Sequence, residues 1–290
     1  MPGEMQLIEE KQYRKLIDKL ADIPFNTLFA RSVLELKADG KVYTDNKEEP
    51  KTFLIAHAYG MSLLVGDTEN DRFNAGLADY MLNKYNNRFK NEWLQVYPEN
   101  WNAKLQEILA DKIINYASLT ETHTHQECEN LIESHRSNKI IQWRRINFKY
   151  NNPDNITNCV SKHTVKLIDM NIYNRLEGSV IPRLFWKSPE TFLAHGIGYV
   201  IASGNDLVSV AFASCKHENE LEIGIETMKN YRGKGFAKQV CQFLLNYCKE
   251  SNYIPVWACK KENIASYRLA QSLGFEETLT LPYYELVSNS

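Results

Sequence analysis

The passage Leu221 to Ala237, LEIGIETMKNYRGKGFA, constrains this chain most, because one periodicity stops there and another starts across two glycines. Leu221, Ile223 and Ile225 alternate with Glu222, Gly224 and Glu226, the period of two that a strand requires. Beyond Arg232-Gly233-Lys234-Gly235, residues Phe236, Val240, Phe243, Leu244 and Tyr247 recur at helical spacing, which predicts a helix from about Gly235 to Lys249. The first N–H groups of such a helix have no partner within it, and the helix dipole adds partial positive charge there. Glycines let the backbone curl around an anion, so a phosphate or pyrophosphate is the natural guest. Arg232 and Lys234 add charge at the rim. A P-loop is excluded, because Lys234 is followed by Gly235 and no glycine stands five residues before Gly233. A dinucleotide fingerprint is excluded too, since the third spaced glycine is missing.

What remains is Arg-x-x-Gly-x-Ala at 232–237. Downstream lie a strand, Ile254 to Cys259, and a helix opened by Asn263 and closed by Leu273-Gly274-Phe275. In order and spacing this resembles the acyl-coenzyme A loop and second signature of the GNAT (GCN5-related N-acetyltransferase) superfamily. The resemblance covers about residues 160–290 and implies the GNAT acyl-CoA fold there, an α/β fold on a mixed sheet. Further matches are Gly196-x-Gly198, Ser209-x-Ala211, Glu222-Ile223-Gly224-Ile225-x-Thr227, Pro255-x-Trp257-x-Cys259, Ser266-x-x-Leu269-Ala270 and, upstream, Gly40-x-Val42-Tyr43. Together they resemble the two-domain GNAT family that includes the zwittermicin-resistance acetyltransferase.

At 290 residues the chain is comfortable for two domains. Asn151 to Asn155, rich in turn formers, is the best linker, which divides the chain into domains 1–150 and 151–290. A net charge of -2 gives no pull toward nucleic acid or membrane. No apolar run is long enough to span a bilayer. The start of the chain carries no signal peptide and the six cysteines show no C-x-x-C pairing, so a reducing cytoplasm is expected, with Cys241, Cys248 and Cys259 as buried thiols. His123-x-His125 with Cys128 lacks a fourth ligand at a familiar spacing and reads as a solvated loop or helix start, so no metal is expected.

In the first half the patterns predict an amphipathic helix over 5–20, a strand over 26–36, strands 52–56 and 61–66, a helix over 71–86, a strand over 92–97 and a helix over 101–109. Strand 61–66 through helix 101–109 parallels strand 221–226 through helix 263–273, which suggests that the first half is a degenerate GNAT-like copy. It is not expected to bind coenzyme: Gly66-Asp67-Thr68-Glu69-Asn70-Asp71 places three carboxylates where a pyrophosphate would sit. Its expected role is to shape a substrate cleft between the halves or a homodimer contact. In the second half the patterns predict strand 146–150, strand 164–169, helix 170–176, a helix start at Ser188-Pro189-Glu190, a hairpin over 198–214 and two strands, 276–281 and 283–287, parted by Pro282.

The resemblance implies acetyl-CoA as cosubstrate, with residues 232–237 (Arg232, Gly233, Lys234, Gly235, Phe236, Ala237) on its pyrophosphate. It also places the pantetheine arm against Glu226-Thr227-Met228, between two splayed parallel strands, and Asn263 and Ser266 near the coenzyme. A backbone N–H at Thr227 or Met228 would face the developing oxyanion. An amine of pKa about 10.4 arrives protonated, so a base is needed, and Glu222 and Glu226 are the candidates. GNAT enzymes often use a Tyr where this chain has Ala270; Tyr267, one turn earlier, is the candidate replacement, with Tyr283 and Tyr284 as further options. The expected activity is acetyl transfer to a primary amine of a small molecule, antibiotics included. A protein or peptide N-acetyltransferase and a non-catalytic acyl-CoA-binding module are the alternatives.

Overall fold

The computed structural model describes residues 5–136, 139–151 and 163–288. The first half runs β1 (Gln6–Leu7), two 3-10 segments (Glu10–Leu16 and Asp18–Leu20), α1 (Leu28–Leu34), β2 (Gly40–Thr44), β3 (Thr52–His57), β4 (Met61–Gly66), α2 (Asp71–Met81), β5 (Glu92–Tyr97) and α3 (Trp101–Leu109). An insertion follows, with β6 (Ile113–Asn115), α4 (Tyr116–Leu119) and α5 (His125–His135), and then β7 (Ile140–Tyr150). The second half runs β8 (Thr164–Leu167), α6 (Met170–Arg175), α7 (Pro189–His195), β9 (Gly198–Ser203), β10 (Asp206–His217), β11 (Glu220–Thr227), α8 (Phe236–Glu250), β12 (Ile254–Lys260), α9 (Ile264–Ser272) and β13 (Phe275–Leu286).

Among the described residues these strands form one mixed sheet, ordered β1-β2-β3-β4-β5-β13-β7-β12-β11-β10-β9-β8, with β6 beside β7. The order reads the same from both ends. In each half a first strand, helices, an antiparallel meander, a helix and a parallel fifth strand follow in turn. Each half then sends its last long strand across the middle: β7 pairs with β12, β13 pairs with β5, and the two pair antiparallel with each other. The halves therefore share a sheet. Residues 152–155 of the expected linker lie outside the described residues.

Four expectations need correction. Residues 26–36 are not a strand; they hold helix α1, which lies between β3 and β10 with Phe29, Ala30, Ser32, Val33 and Leu34 all buried. A helix buried at every residue but the half-buried Arg31 carries almost no polar face to betray its period. Residues 5–20 form β1 and the 3-10 segments rather than one amphipathic helix. The helix from Asp71 stops at Met81, ten residues short of the next strand. Residues 275–286 are one strand through Pro282: β5 joins only from Tyr284 onward, so the proline stands where β13 has a neighbour on one side alone.

The apolar core spans the halves. One cluster joins Phe29 and Val33 of α1 to Ala211 and Phe212 of β10 and to Val240 and Leu244 of α8. A second, on the α2–α3 side of the first half, takes in Tyr284 and Leu286 of β13.

Candidate active site

The parallel ladder between β11 and β12 has only three register pairs, Glu220↔Ile254, Leu221↔Pro255 and Glu222↔Val256. Beyond them β11 keeps its pairing to β10 as far as Thr227, and β12 keeps its pairing to β7 as far as Lys260. The two strands therefore part, and a V opens between Ile223–Thr227 and Trp257–Lys260. The corresponding β4–β5 ladder in the first half runs through five pairs, Met61↔Trp93 to Val65↔Tyr97, and stays closed.

At the open end of the V stands the glycine loop. Gly233 and Gly235 have φ of +75° and +83°, the left-handed region that an L residue enters at a cost of roughly 1–2 kcal/mol. A Cβ built on either would meet nothing within 4 Å, so the loop faces open space. Gly235 is the N-cap of α8 and offers no side chain to its first N–H groups, which leaves Phe236 and Ala237 at a bare helix start. Arg232 folds back, its Nε donating to the Thr227 carbonyl at 2.9 Å and its Nη2 to Glu226 Oε1 at 3.1 Å. Lys234 donates to the Asn230 carbonyl at 3.0 Å. The matching turn of the first half is shut: a Cβ on Gly66 would lie 1.9 Å from the Lys51 carbonyl oxygen, and Asn70 caps α2 with its own side chain.

The two glutamates on this face of β11 differ sharply. Glu226 accepts five hydrogen bonds. Oε2 takes the Ser179 N–H at 3.1 Å, the Ser179 hydroxyl at 2.9 Å and the Val180 N–H at 3.3 Å. Oε1 takes Arg232 and the Thr227 N–H at 3.2 Å. It ties the segment after α6 to the end of β11. Glu222 is 6% exposed, lies 3.6 Å from Arg145 Nη2 of β7, and leaves Oε2 without a partner. Burial pushes its carboxyl above the ordinary glutamate range, with Arg145 and Asn26 opposing.

Residues from the first half complete the surroundings. Tyr59, on the turn between β3 and β4, stacks on Phe185 at 4.1 Å, and Phe185 meets Phe212 at 5.6 Å. Burial, with Tyr283 and Glu226 nearby, pushes the Tyr59 hydroxyl up to about 12. The Tyr283 hydroxyl accepts from Arg145 Nη1 at 3.2 Å. Asn147 Oδ1 of β7 accepts the Asn26 N–H at 3.1 Å, within the first half. Tyr59, Arg145, Asn26 and Asn147 were not singled out from the sequence. The buried Arg145 had a faint signal there, as an arginine within the apolar pattern of 140–150.

Other expected residues sit as follows. The Met228 N–H donates to the Val208 carbonyl at 3.0 Å, so it is not an open oxyanion donor; the Thr227 N–H meets only the side chain of Glu226. Asn263 caps α9, accepting the Ser266 N–H at 3.2 Å, while the Ser266 hydroxyl accepts from Trp257 Nε1 at 3.2 Å. Tyr267 donates to Glu277 Oε2 at 3.1 Å and packs on Phe148. Ala270 is fully buried. The Tyr284 hydroxyl donates to Asn102 Oδ1 at 2.8 Å in the core of the first half, away from the V. His125 bonds Tyr116 and Glu129 at the start of α5.

Comparison with known proteins gives consistent results. The family model described as GNAT acetyltransferase matches residues 18–284. An uncharacterized N-acetyltransferase, YdfB of Bacillus subtilis (strain 168), is 26% identical over 292 residues, covering 97% of this chain and 98% of that protein. A GCN5-related N-acetyltransferase-like protein from Streptococcus suis 89/1591 superposes with a TM-score of 0.66 at 21% identity, over 95% of this chain and 98% of its own. A tandem GNAT protein from the clavulanic acid biosynthesis pathway superposes with a TM-score of 0.57 at 9% identity, over 99% of both chains.

Proposed function

The chain belongs to the GNAT acetyltransferase family, and from that premise we propose that it moves an acetyl group from acetyl-CoA to a primary amine of a small molecule bound between its halves. One observation carries this reading: the β11–β12 ladder opens after three pairs beside a bare glycine loop, while its counterpart β4–β5 is closed over five. On this reading the second half grips the coenzyme. The first half is a duplicated, non-binding copy, which lends Tyr59 and Asn26 to the acceptor side.

Backbone N–H groups from Gly233 to Ala237 hold the diphosphate, with Arg232 and Lys234 at its rim. The V receives the pantetheine arm as an added strand along Ile225–Thr227. The Thr227 N–H is the donor for the thioester oxygen. Glu222 takes the proton from the acceptor ammonium, a role its raised pKa suits, because a base works best when its pKa approaches the working pH. Glu226, already accepting from five donors, has little capacity left for a substrate proton and instead shapes the cleft wall. The Tyr267 hydroxyl already donates its hydrogen bond to Glu277 and is not assigned as the acid. The thiolate leaves without an acid from α9, as a thiol pKa of about 8.5 permits.

The Tyr59–Phe185 stack near Glu226 supports a small-molecule acceptor. A peptide acceptor requires a longer open groove. Release of free thiol from acetyl-CoA across a panel of cationic antibiotics, polyamines and basic peptides tests the reading. Turnover with small amines supports it. Turnover with peptides alone redirects it, and binding without turnover to any amine overturns it.

A further inference from the structure

A sizeable cavity lies in the first half, away from the glycine loop. It encloses about 900 Å³ between β2, the ends of β3 and α2, and the start of β5. That is within the range of pockets that take small organic ligands. Its wall includes Tyr43, Tyr80 and Glu92, and Tyr85, Arg88 and Phe89 stand around it.

Glu92 is the unusual member. It is 6% exposed. Oε2 accepts the Tyr80 hydroxyl at 2.6 Å, and Oε1 has no hydrogen-bond partner. Among the described residues no lysine or arginine reaches ion-pair distance of it. The neighbouring cations are engaged elsewhere. Arg88 Nη1 donates to the Tyr80 carbonyl at 2.8 Å, and Nη2 donates to the carbonyls of Met81 at 3.2 Å and Val287 at 3.0 Å. Lys90 donates to the Ala58 carbonyl. Lys84 pairs with Asp79 at 2.8 Å. Burial pushes the Glu92 carboxyl above the ordinary glutamate range, with Tyr80, Ser62, Arg88 and Lys90 opposing, and a cation supplied from outside would stabilise the charged form further.

The rest of the wall suits a cation with an apolar body. The rings of Tyr43 and Tyr80 lie 5.6 Å apart and tilted on the same wall as the carboxylate; Arg88 stands 5.6 Å from the Tyr80 ring, and the Tyr43 ring lines the cavity beside it. Tyr85 and Phe89 are 53% and 88% exposed, large apolar side chains held in water at the mouth. Aromatic faces around a carboxylate attract organic ammonium groups through the ring quadrupole and the charge together.

We infer that this cavity binds an organic ammonium compound, its charged nitrogen at Glu92 and its apolar body between the Tyr43–Tyr80 pair on one side and the rim aromatics on the other. The site is separate from the acetyl-transfer site and does not depend on it.

Calorimetry with benzyltrimethylammonium tests this. A quaternary nitrogen carries no proton to lose and cannot be acetylated, so its binding is not confused with that of an acceptor. The expected result is saturable one-to-one binding, absent for the uncharged benzyl alcohol. Glu92→Gln weakens it at least ten-fold, Phe89→Ala several-fold, and Gly235→Glu not at all. Acetyl transfer by the Glu92→Gln and Phe89→Ala proteins is unchanged and reports that they are folded. If Glu92→Gln does not fold, Phe89→Ala and Tyr85→Ala, both at exposed positions, decide the matter. No saturable binding, undiminished affinity in the variants, or loss of binding in Gly235→Glu overturns the assignment.

Discussion

Replacing Glu226 by glutamine separates two roles that look alike in the sequence. The carboxylate accepts from Ser179 twice, from Val180, from Arg232 and from Thr227. Glutamine has one acceptor oxygen and one NH2 group. Turned with the NH2 toward Ser179 and Val180, it sets donor against two backbone donors. The cheaper placement turns the NH2 toward Arg232, which is 62% exposed and can swing into water. Three charge-assisted bonds to Ser179 and Val180 then become neutral ones, each roughly half as strong, and the Thr227 N–H loses its partner. The exposed Arg232 adds little, since such pairs are screened. The sum is about 2–3 kcal/mol, or roughly a 30- to 150-fold rise in the opening of residues 178–180. Native-state hydrogen exchange of the Ser179 and Val180 amides reads that rise directly. Acetyl-transfer rates against pH read the second half of the argument. Glu226→Gln should keep the acidic limb of the profile with a raised acceptor KM. Glu222→Gln should lose the limb and about 10²–10⁴-fold in rate. Unchanged protection at 179–180 together with a lost acidic limb in Glu226→Gln refutes the assignment of roles.

Gly235→Ala should cost about 1–2 kcal/mol of stability from its left-handed backbone and bind acetyl-CoA only modestly less well. Gly235→Glu adds a like charge about 4 Å from a phosphate, about 1–4 kcal/mol between water-like and protein-like screening, so calorimetry should show a further ~5- to 1,000-fold loss; equal affinities for the two variants contradict the loop assignment. Tyr267→Phe should leave kcat within about two-fold, and a larger loss in steady-state assays restores Tyr267 as the proton donor. Burial lowers the His57 pKa from 6.5 to about 4, so the fold favours the neutral ring. Stability from this group is present above 6.5 and is lost as pH falls through about 4, a change of about 3 kcal/mol in urea unfolding that His57→Asn should abolish.

The loop proposed for the coenzyme was legible as local structure because its residues act locally. A glycine pair, a strand before it and a helix after it can be read from seventeen consecutive positions, and Asn263 announced its cap. The proposed acceptor side was not legible, because its residues come from four separate elements that meet only through the shared sheet. Tyr59 sits on a turn, Asn26 precedes a buried helix, and Arg145 and Tyr283 lie on the two strands that cross the middle. Nothing in local periodicity says that β7 reaches β12, or that β13 passes through Pro282 to reach β5. The helix at Leu28–Leu34 escapes the sequence pattern for a related reason: burial of all but Arg31 erases most of the contrast on which period-finding depends.

A crystal structure with bound coenzyme A tests the central claim most directly. The account predicts the diphosphate within hydrogen-bond reach of backbone nitrogens between Gly233 and Lys238, and the pantetheine arm lying between β11 and β12. A diphosphate held anywhere else, or an arm that leaves the gap between those strands empty, contradicts it.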